Sequence, residues 1–118
     1  SKLNREQYRS TVMDAFPQTD KIAVFKASRG ENLSDVAVQG AVQQARSRRN
    51  GSFYEIDVRV GLSAYIQIQH RPLTKFIRLR KKIPVSHGSE LVSVMDVVDE
   101  AFKEAANALG EKLVEKLL

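Results

Sequence analysis

The sequence predicts an α+β two-layer sandwich, an antiparallel sheet of three to four strands with helices on one face. Two observations carry that reading. From Tyr54 to His70 every even position is apolar or nearly so (Tyr54, Ile56, Val58, Val60, Leu62, Ala64, Ile66, Ile68, His70), while most odd positions are polar. That is the period-2 signature of a sheet buried on one side. Further on, Leu91, Met95, Val98, Phe102, Ala105 or Ala106, Leu109, Leu113 and Leu117 recur at helical spacing and supply a cover for that sheet. The expected order is α-β-α-β-β-β-α.

The elements follow in chain order. Residues 4–15 read as a short helix, with Asn4 as cap, Gln7 at the reciprocal capping-box position, and Leu3 and Tyr8 as a hydrophobic staple; Pro17 ends it. Tyr8, Val12 and Phe16 share one face, so this arm can dock on the body. Lys21 to Ala27 is apolar on both parities, as an interior strand would be. A helix is expected from about Ser34 to Arg49, stopped by Asn50-Gly51, with Leu33, Ala37 or Val38, Ala41, Val42 and Ala45 toward the core and Arg46, Arg48 and Arg49 complementing the helix dipole.

Parity then constrains the turns. A three-residue loop at Gly61-Leu62-Ser63 pairs Val60 with Ala64 and keeps the even set buried. One long strand bent at Gly61 satisfies parity too, but exceeds the usual strand length of about 5–6 residues, which favours the hairpin. In Lys75 to Ile83 the apolar set moves to odd positions, so a turn is expected at Pro72-Leu73, pairing Ile68 with Ile77 and Ile66 with Leu79. The buried face would then hold Ile56, Val58, Ile66, Ile68, Ile77 and Leu79. Ser89 or Ser93 should cap the last helix.

At 118 residues the chain is expected to be a single domain over 1–118, with a helical arm at 1–17 and an α+β body at 21–118. Hydrophobic residues make up 42% and charged residues 28%, which argues against disorder. Lys and Arg number 19 against 14 Asp and Glu, a net charge of +5 that favours anionic partners. Cysteine is absent, which excludes disulfides, thiolate metal sites and a Cys nucleophile. No apolar run reaches the ~18 residues of a membrane span. The chain begins at Ser1 rather than Met, so a processed product or an excised piece is expected, with any targeting segment already gone.

No catalytic constellation emerges. His70 falls on the buried parity near a strand end and His87 in a Ser-His-Gly turn; there is no HExxH, phosphate-binding glycine loop or nucleophile elbow. Asp96, Asp99 and Glu100 stand at i, i+3, i+4 spacing, which first-turn electrostatics and an Asp99–Lys103 pair explain more simply than a bound cation. The expectation is a protein that is not an enzyme, with no cofactor, no metal and no small-molecule substrate.

The exposed sheet face remains. On the expected turns its rows read Arg59, Tyr65 and Arg80; Asp57, Gln67 and Arg78; Glu55, Gln69 and Phe76, with Phe53, Arg71 and Lys82 at the margins. The candidate partner-binding residues are therefore Arg59, Tyr65, Arg71, Phe76, Arg78, Arg80 and Lys82. Aromatics interleaved with Arg can stack bases and contact phosphates, and the same rows also read as solvated cross-strand pairs. The element order resembles double-stranded-RNA-binding domains, but the basic helix start those use is here the acidic Asp96, Asp99 and Glu100.

The first eight residues, SKLNREQY, resemble the opening of mature bacterial outer-membrane lipoproteins just after the lipidated cysteine, where a Ser-Lys or Ser-Ser pair leads into a polar, helix-prone stretch. That resemblance implies a non-enzymatic assembly domain at the periplasmic face of the outer membrane, binding a protein partner, with membrane attachment only through a lipid anchor outside this chain. The competing expectation is a cytoplasmic nucleic-acid-binding module using Arg59, Arg71, Arg78, Arg80, Lys81 and Lys82.

Overall fold

The computed structural model describes residues 5–16, 36–66 and 70–117. Helix α1 (Arg5–Ala15) precedes strands β1 (Val36–Asn50), β2 (Phe53–Ile66) and β3 (Arg71–Pro84); after a short helical turn at Val85–His87, helix α2 (Glu90–Leu117) closes the order. The strands form an antiparallel meander in the order β1-β2-β3, so β2 is central. The class is α+β, with two helices among the described residues where three were expected.

The even residues of β2 form the core as the alternation predicts. Ile56, Val58, Val60, Leu62, Ala64 and Ile66 are all buried, and α2 meets them with Ser93, Val97, Val98, Ala101, Phe102, Ala105, Ala106, Leu109 and Leu113. Leu73, Ile77, Leu79 and Ile83 of β3 and Val36 and Val42 of β1 pack at the margins. Helix α2 begins where the sequence places it: Val92 donates its backbone N–H to Ser89 Oγ at 3.1 Å, the N-cap bond. Its first apolar residue departs from expectation, since Leu91 is 63% exposed while Ser93 and Val97 face the sheet. Lys81 to Glu100 (3.1 Å) and Ser47 to Glu90 (3.0 Å) tie α2 to β3 and β1.

Helix α1 docks on α2 by the face the sequence assigns to it, with Tyr8 and Phe16 buried and Val12 against the core. The Tyr8 and Phe102 rings lie 5.5 Å apart, tilted by 38°. Phe102 in turn sits over Gly40 of β1, where a Cβ would come within 3.0 Å of Phe102 Cε1 and 3.2 Å of Leu62 Cδ1. The missing side chain lets the ring approach the sheet. Thr11 Oγ1 donates to Asp99 Oδ1, a second link between the helices. The Asn4 cap and the Lys21–Ala27 strand lie outside the described residues, as do Ile68, Gln67 and Gln69 of the expected pairings.

Four expectations are overturned. The helix expected over Ser34–Arg49 is the strand β1. Its inward residues, Val36, Val38, Gly40 and Val42, alternate, and then a bulge between Val42 and Gln44 shifts the register, so that Ala45 and Ser47 continue the inner row. The shift breaks period 2 and leaves Ala37, Ala41 and Ala45 at a spacing that imitates a helix. Asn50-Gly51 is accordingly a hairpin turn: Asn50 pairs with Phe53, and Gly51 has φ +65°, the left-handed value a two-residue loop requires at its first position.

The hairpin expected at Gly61-Leu62-Ser63 is also absent. β2 runs unbroken through Gly61, because β1 and β3 pair along its length and Leu62 is buried at 1% exposure. Nor is Pro72 at a hairpin tip. Ile66 pairs with Arg71, Val60 with Ile77 and Val58 with Leu79, so the chain reverses before Arg71 and Pro72 lies inside β3, opposite Tyr65. A strand that flanks the described sheet tolerates a missing N–H on its outer side. His70 is exposed rather than buried, at φ +50°, a value His adopts more readily than most residues.

Two outcomes test this packing. Phe102→Ala should lower stability by about 3–5 kcal/mol, by opening a cavity between Tyr8, Gly40 and Leu62, whereas Lys103→Ala on the exposed side should change little; equal losses in chemical denaturation would contradict the arrangement. The Tyr8 hydroxyl is buried without a hydrogen-bond partner, and burial, helped by the charges of Asp99 and Asp96, pushes it up to about 12 from its ordinary 10.0. Between those values the unfolded chain releases a proton that the folded one retains, so stability should fall as pH rises through that window. Tyr8→Phe should lack that alkaline loss, as denaturation midpoints across the window would show.

Candidate functional site: the open face of the sheet

The outward side chains of the three strands form regular rows. Nearest the β1–β2 turn, Arg48, Glu55 and Lys82 lie side by side, then Arg46, Asp57 and Arg80, then Gln44, Arg59 and Arg78. Beyond these the rows are uncharged: Ala41, Gly61 and Phe76; Gln39, Ser63 and Thr74; Ala37, Tyr65 and Pro72. Among the described residues no helix covers this face, and Phe53, Tyr65 and Phe76 are all exposed on it.

Of the residues assigned from sequence, Arg59, Tyr65, Phe76, Arg78, Arg80 and Lys82 do share this face. Arg71 does not, because it pairs with Ile66 and so carries the opposite parity. The neighbours also differ from the expected rows, a consequence of the displaced β2–β3 reversal: Arg59 stands beside Arg78 rather than Tyr65, and Tyr65 beside Pro72 rather than Arg80. Arg46 and Arg48 also stand on this face, although the helical spacing of their segment points to a helix end; the signal that finds them is their own alternation with Ser47 and Arg49.

The two carboxylates on the central strand are tightly held. Arg78 grips Asp57 by two bonds, Nε to Oδ1 at 3.0 Å and Nη2 to Oδ2 at 2.7 Å, while Arg80 Nε stands 3.8 Å from the same oxygen. These donors hold the Asp57 carboxyl below its ordinary range, the Arg78 bonds contributing most. Glu55 accepts from Asn50 Nδ2 at 2.6 Å and from Arg48 Nε at 3.0 Å, and those two hydrogen bonds, in that order, likewise depress it. Both carboxylates are half-buried and their Arg partners are exposed, so these pairs add little to stability. What they fix is the direction of Arg48 and Arg78.

The centre of the face is built differently. A Cβ at Gly61 would lie 3.1 Å from Phe76 Cε1 and 3.3 Å from Gln43 Nε2, so the Phe76 ring rests on bare backbone beside the bulged glutamine. The Arg59 guanidinium carbon stands 5.7 Å from the centroid of the same ring, within cation–π range. An aromatic over a strand glycine covers the gap that its missing side chain leaves. Near the far end, Tyr65 Oη meets His70 Nδ1 at 3.1 Å.

The acidic cluster of α2 does not converge. Asp96 faces His87 Nε2 at 3.2 Å, Asp99 takes Thr11 and Glu100 takes Lys81, so the three carboxylates serve three neighbours. Among the described residues no group of three or more His, Cys, Asp or Glu is placed to hold a metal ion. No described helix is long and apolar enough to cross a membrane.

The pairing of Asp57 with Arg78 is directly measurable. Followed by NMR, the Asp57 side-chain carboxyl should titrate below its ordinary 3.8, and in Arg78→Ala its midpoint should return most of the way. An unchanged midpoint would mean that the two-point bond is not maintained in solution. No protein-family model, no curated protein and no solved structure matches this chain.

Proposed function

We propose that this chain is a non-enzymatic protein-binding domain of the bacterial cell envelope, at the periplasmic face of the outer membrane, and that the open sheet face is its binding surface. The observation that carries the binding role is the placement of three exposed aromatics, Phe53, Tyr65 and Phe76, on one flat face together with Arg46, Arg48, Arg59, Arg78 and Arg80. Aromatic and Arg side chains dominate the energetics of protein interfaces, since they bury large areas with few rotatable bonds and offer directed donors. The reading is non-enzymatic because the sequence assembles no nucleophile with a base and no phosphate loop. The envelope setting is supported by the likeness of SKLNREQY to the start of mature lipoproteins.

The Arg surplus supports a second reading, a small nucleic-acid-binding module using the same face. Against it stand Glu55 and Asp57, which occupy the middle of the basic rows where phosphates would have to lie.

Fractionating cells that express the full-length gene product with a C-terminal tag should place it with the outer membrane, and metabolic palmitate should label it; recovery in the cytosol would overturn the envelope setting. Separately, the protein should shift neither duplex nor single-stranded DNA or RNA at physiological salt. A shift that weakens steeply with salt and is lost in Arg59→Ala with Arg80→Ala would establish the nucleic-acid reading in its place.

A further inference from the structure

We infer that the partner meets this face with a protein surface of mixed charge, two lines of carboxylates flanking a line of cations, together with an apolar side chain that lands on Phe76. The inference rests on the protein-binding reading above and adds the chemistry of the partner.

The argument starts from the order of charge across the strands. In two successive rows the side chains read positive, negative, positive: Arg48, Glu55, Lys82, then Arg46, Asp57, Arg80. Neighbouring strands lie about 4.8 Å apart, so the cations form two lines roughly 10 Å apart with a line of carboxylates between them. A uniform polyanion, whether nucleic acid or an anionic membrane, would place negative charge over that middle line. A protein surface can instead place Lys or Arg there and Asp or Glu on either side, and like charges set opposite one another are what an interface uses to reject wrong partners.

The pairs within the face align part of it. Arg78 is held on Asp57 at two points and Arg48 on Glu55 at 3.0 and 2.9 Å, so these guanidiniums are aligned before any partner arrives. Next to the charged rows, Phe76 is 51% exposed, lies on the bare backbone of Gly61 and is flanked by Arg59 and Gln43. Small uncharged neighbours, Ala41, Ser63 and Thr74, leave its free side open to an apolar residue. A headgroup layer has no group to set on Phe76, and a nucleic acid that stacked a base there would bring its phosphates toward Glu55 and Asp57, whereas a protein segment can meet both halves of the face without that conflict.

Fluorescence anisotropy on the full chain at physiological salt tests this with labelled probes: a peptide combining Glu, Lys and a central Phe, a poly-Glu peptide, a single-stranded and a duplex DNA, and phosphatidylglycerol vesicles. The mixed peptide should bind more tightly than any other probe. Arg46→Ala with Lys82→Ala should weaken it by about tenfold or more, and Phe76→Ala by a similar factor. Asp57→Asn gives a test of sign: it should weaken the mixed peptide but strengthen any residual binding of poly-Glu or DNA. Circular dichroism confirms that each variant is folded, as expected for surface positions. Equal or tighter binding of poly-Glu or vesicles, a gain in mixed-peptide affinity from Asp57→Asn, or binding of no probe would overturn the mixed-charge inference. Binding of the mixed peptide that depends on Phe76 but not on Arg46 and Lys82 would overturn it while leaving the protein-binding reading in place. DNA binding tighter than that of the peptide would overturn both.

Discussion

A single helix laid along a central strand is the constraint from which the rest of this structure follows. An α-helix with its side chains is about 10–12 Å across, while three strands spaced about 4.8 Å apart present a wider surface. Helix α2 therefore covers β2 fully and β3 in part, and leaves the inner face of β1 largely to other means. Two devices meet that shortage. The row on β1 is made of small or β-branched residues with a glycine at its centre, and Phe102 reaches sideways over Gly40 to meet it. Tyr8 of α1 then backs the Phe102 ring from the other side. The coverage is incomplete, and Val38 remains 40% exposed.

The same constraint explains the character of the outer face. Both helices are used on one side, so the other side has to remain compatible with water and resist pairing with other sheets. Dense charge on the half nearest the first turn does this, and Arg46, Arg48 and Arg49 put three cations along one flanking strand, a common means of discouraging unwanted strand addition. Charge used only for solubility needs no particular order. Here, in the two rows nearest the first turn, the carboxylates fall on the central strand and the cations on its neighbours, with bidentate geometry at Asp57. That order is more than solubility requires, and it supports the proposed binding role of this face.

The legible parts of the sequence were those where one period ran uninterrupted. The even positions of β2 from Ile56 to Ile66, the stripe of α2 from Val98 to Leu113 and the Tyr8, Val12 and Phe16 face of α1 met that condition and lie on the expected side, whereas Leu91 at the start of the α2 stripe is exposed. β1 did not, because the bulge after Val42 splits one strand into two half-strands of opposite parity, and each half is too short to outweigh the helix-like spacing of its alanines. The β2–β3 connection failed for another reason. Parity requires the buried set to change from even to odd, but every register that shares that property satisfies it equally, and a flanking strand accommodates Pro72 as readily as a turn does. Since rows on the open face depend on register, the residues of the site were largely found while their neighbours were not.

Pleating also decides which of these residues can change without consequence for folding. Side chains on the outer face are separated from the core by the backbone of the sheet, so Arg46, Arg80 and Lys82 lie on the side away from α2, and their variation should be felt at Asp57 and Glu55 rather than in the core. Gly61 and Phe76 are the exception. A Cβ at Gly61 would come within 3.1 Å of the Phe76 ring and 3.3 Å of Gln43 Nε2, so these side chains would have to give by a few tenths of an ångström, and Arg59 stands over the same ring. On the proposed binding role, the basic rows and the aromatic platform are thus under different constraints: the rows answer to the partner, whereas the platform answers both to the partner and to the sheet. A surface built this way can alter its charge preference over a platform that the fold itself holds in place.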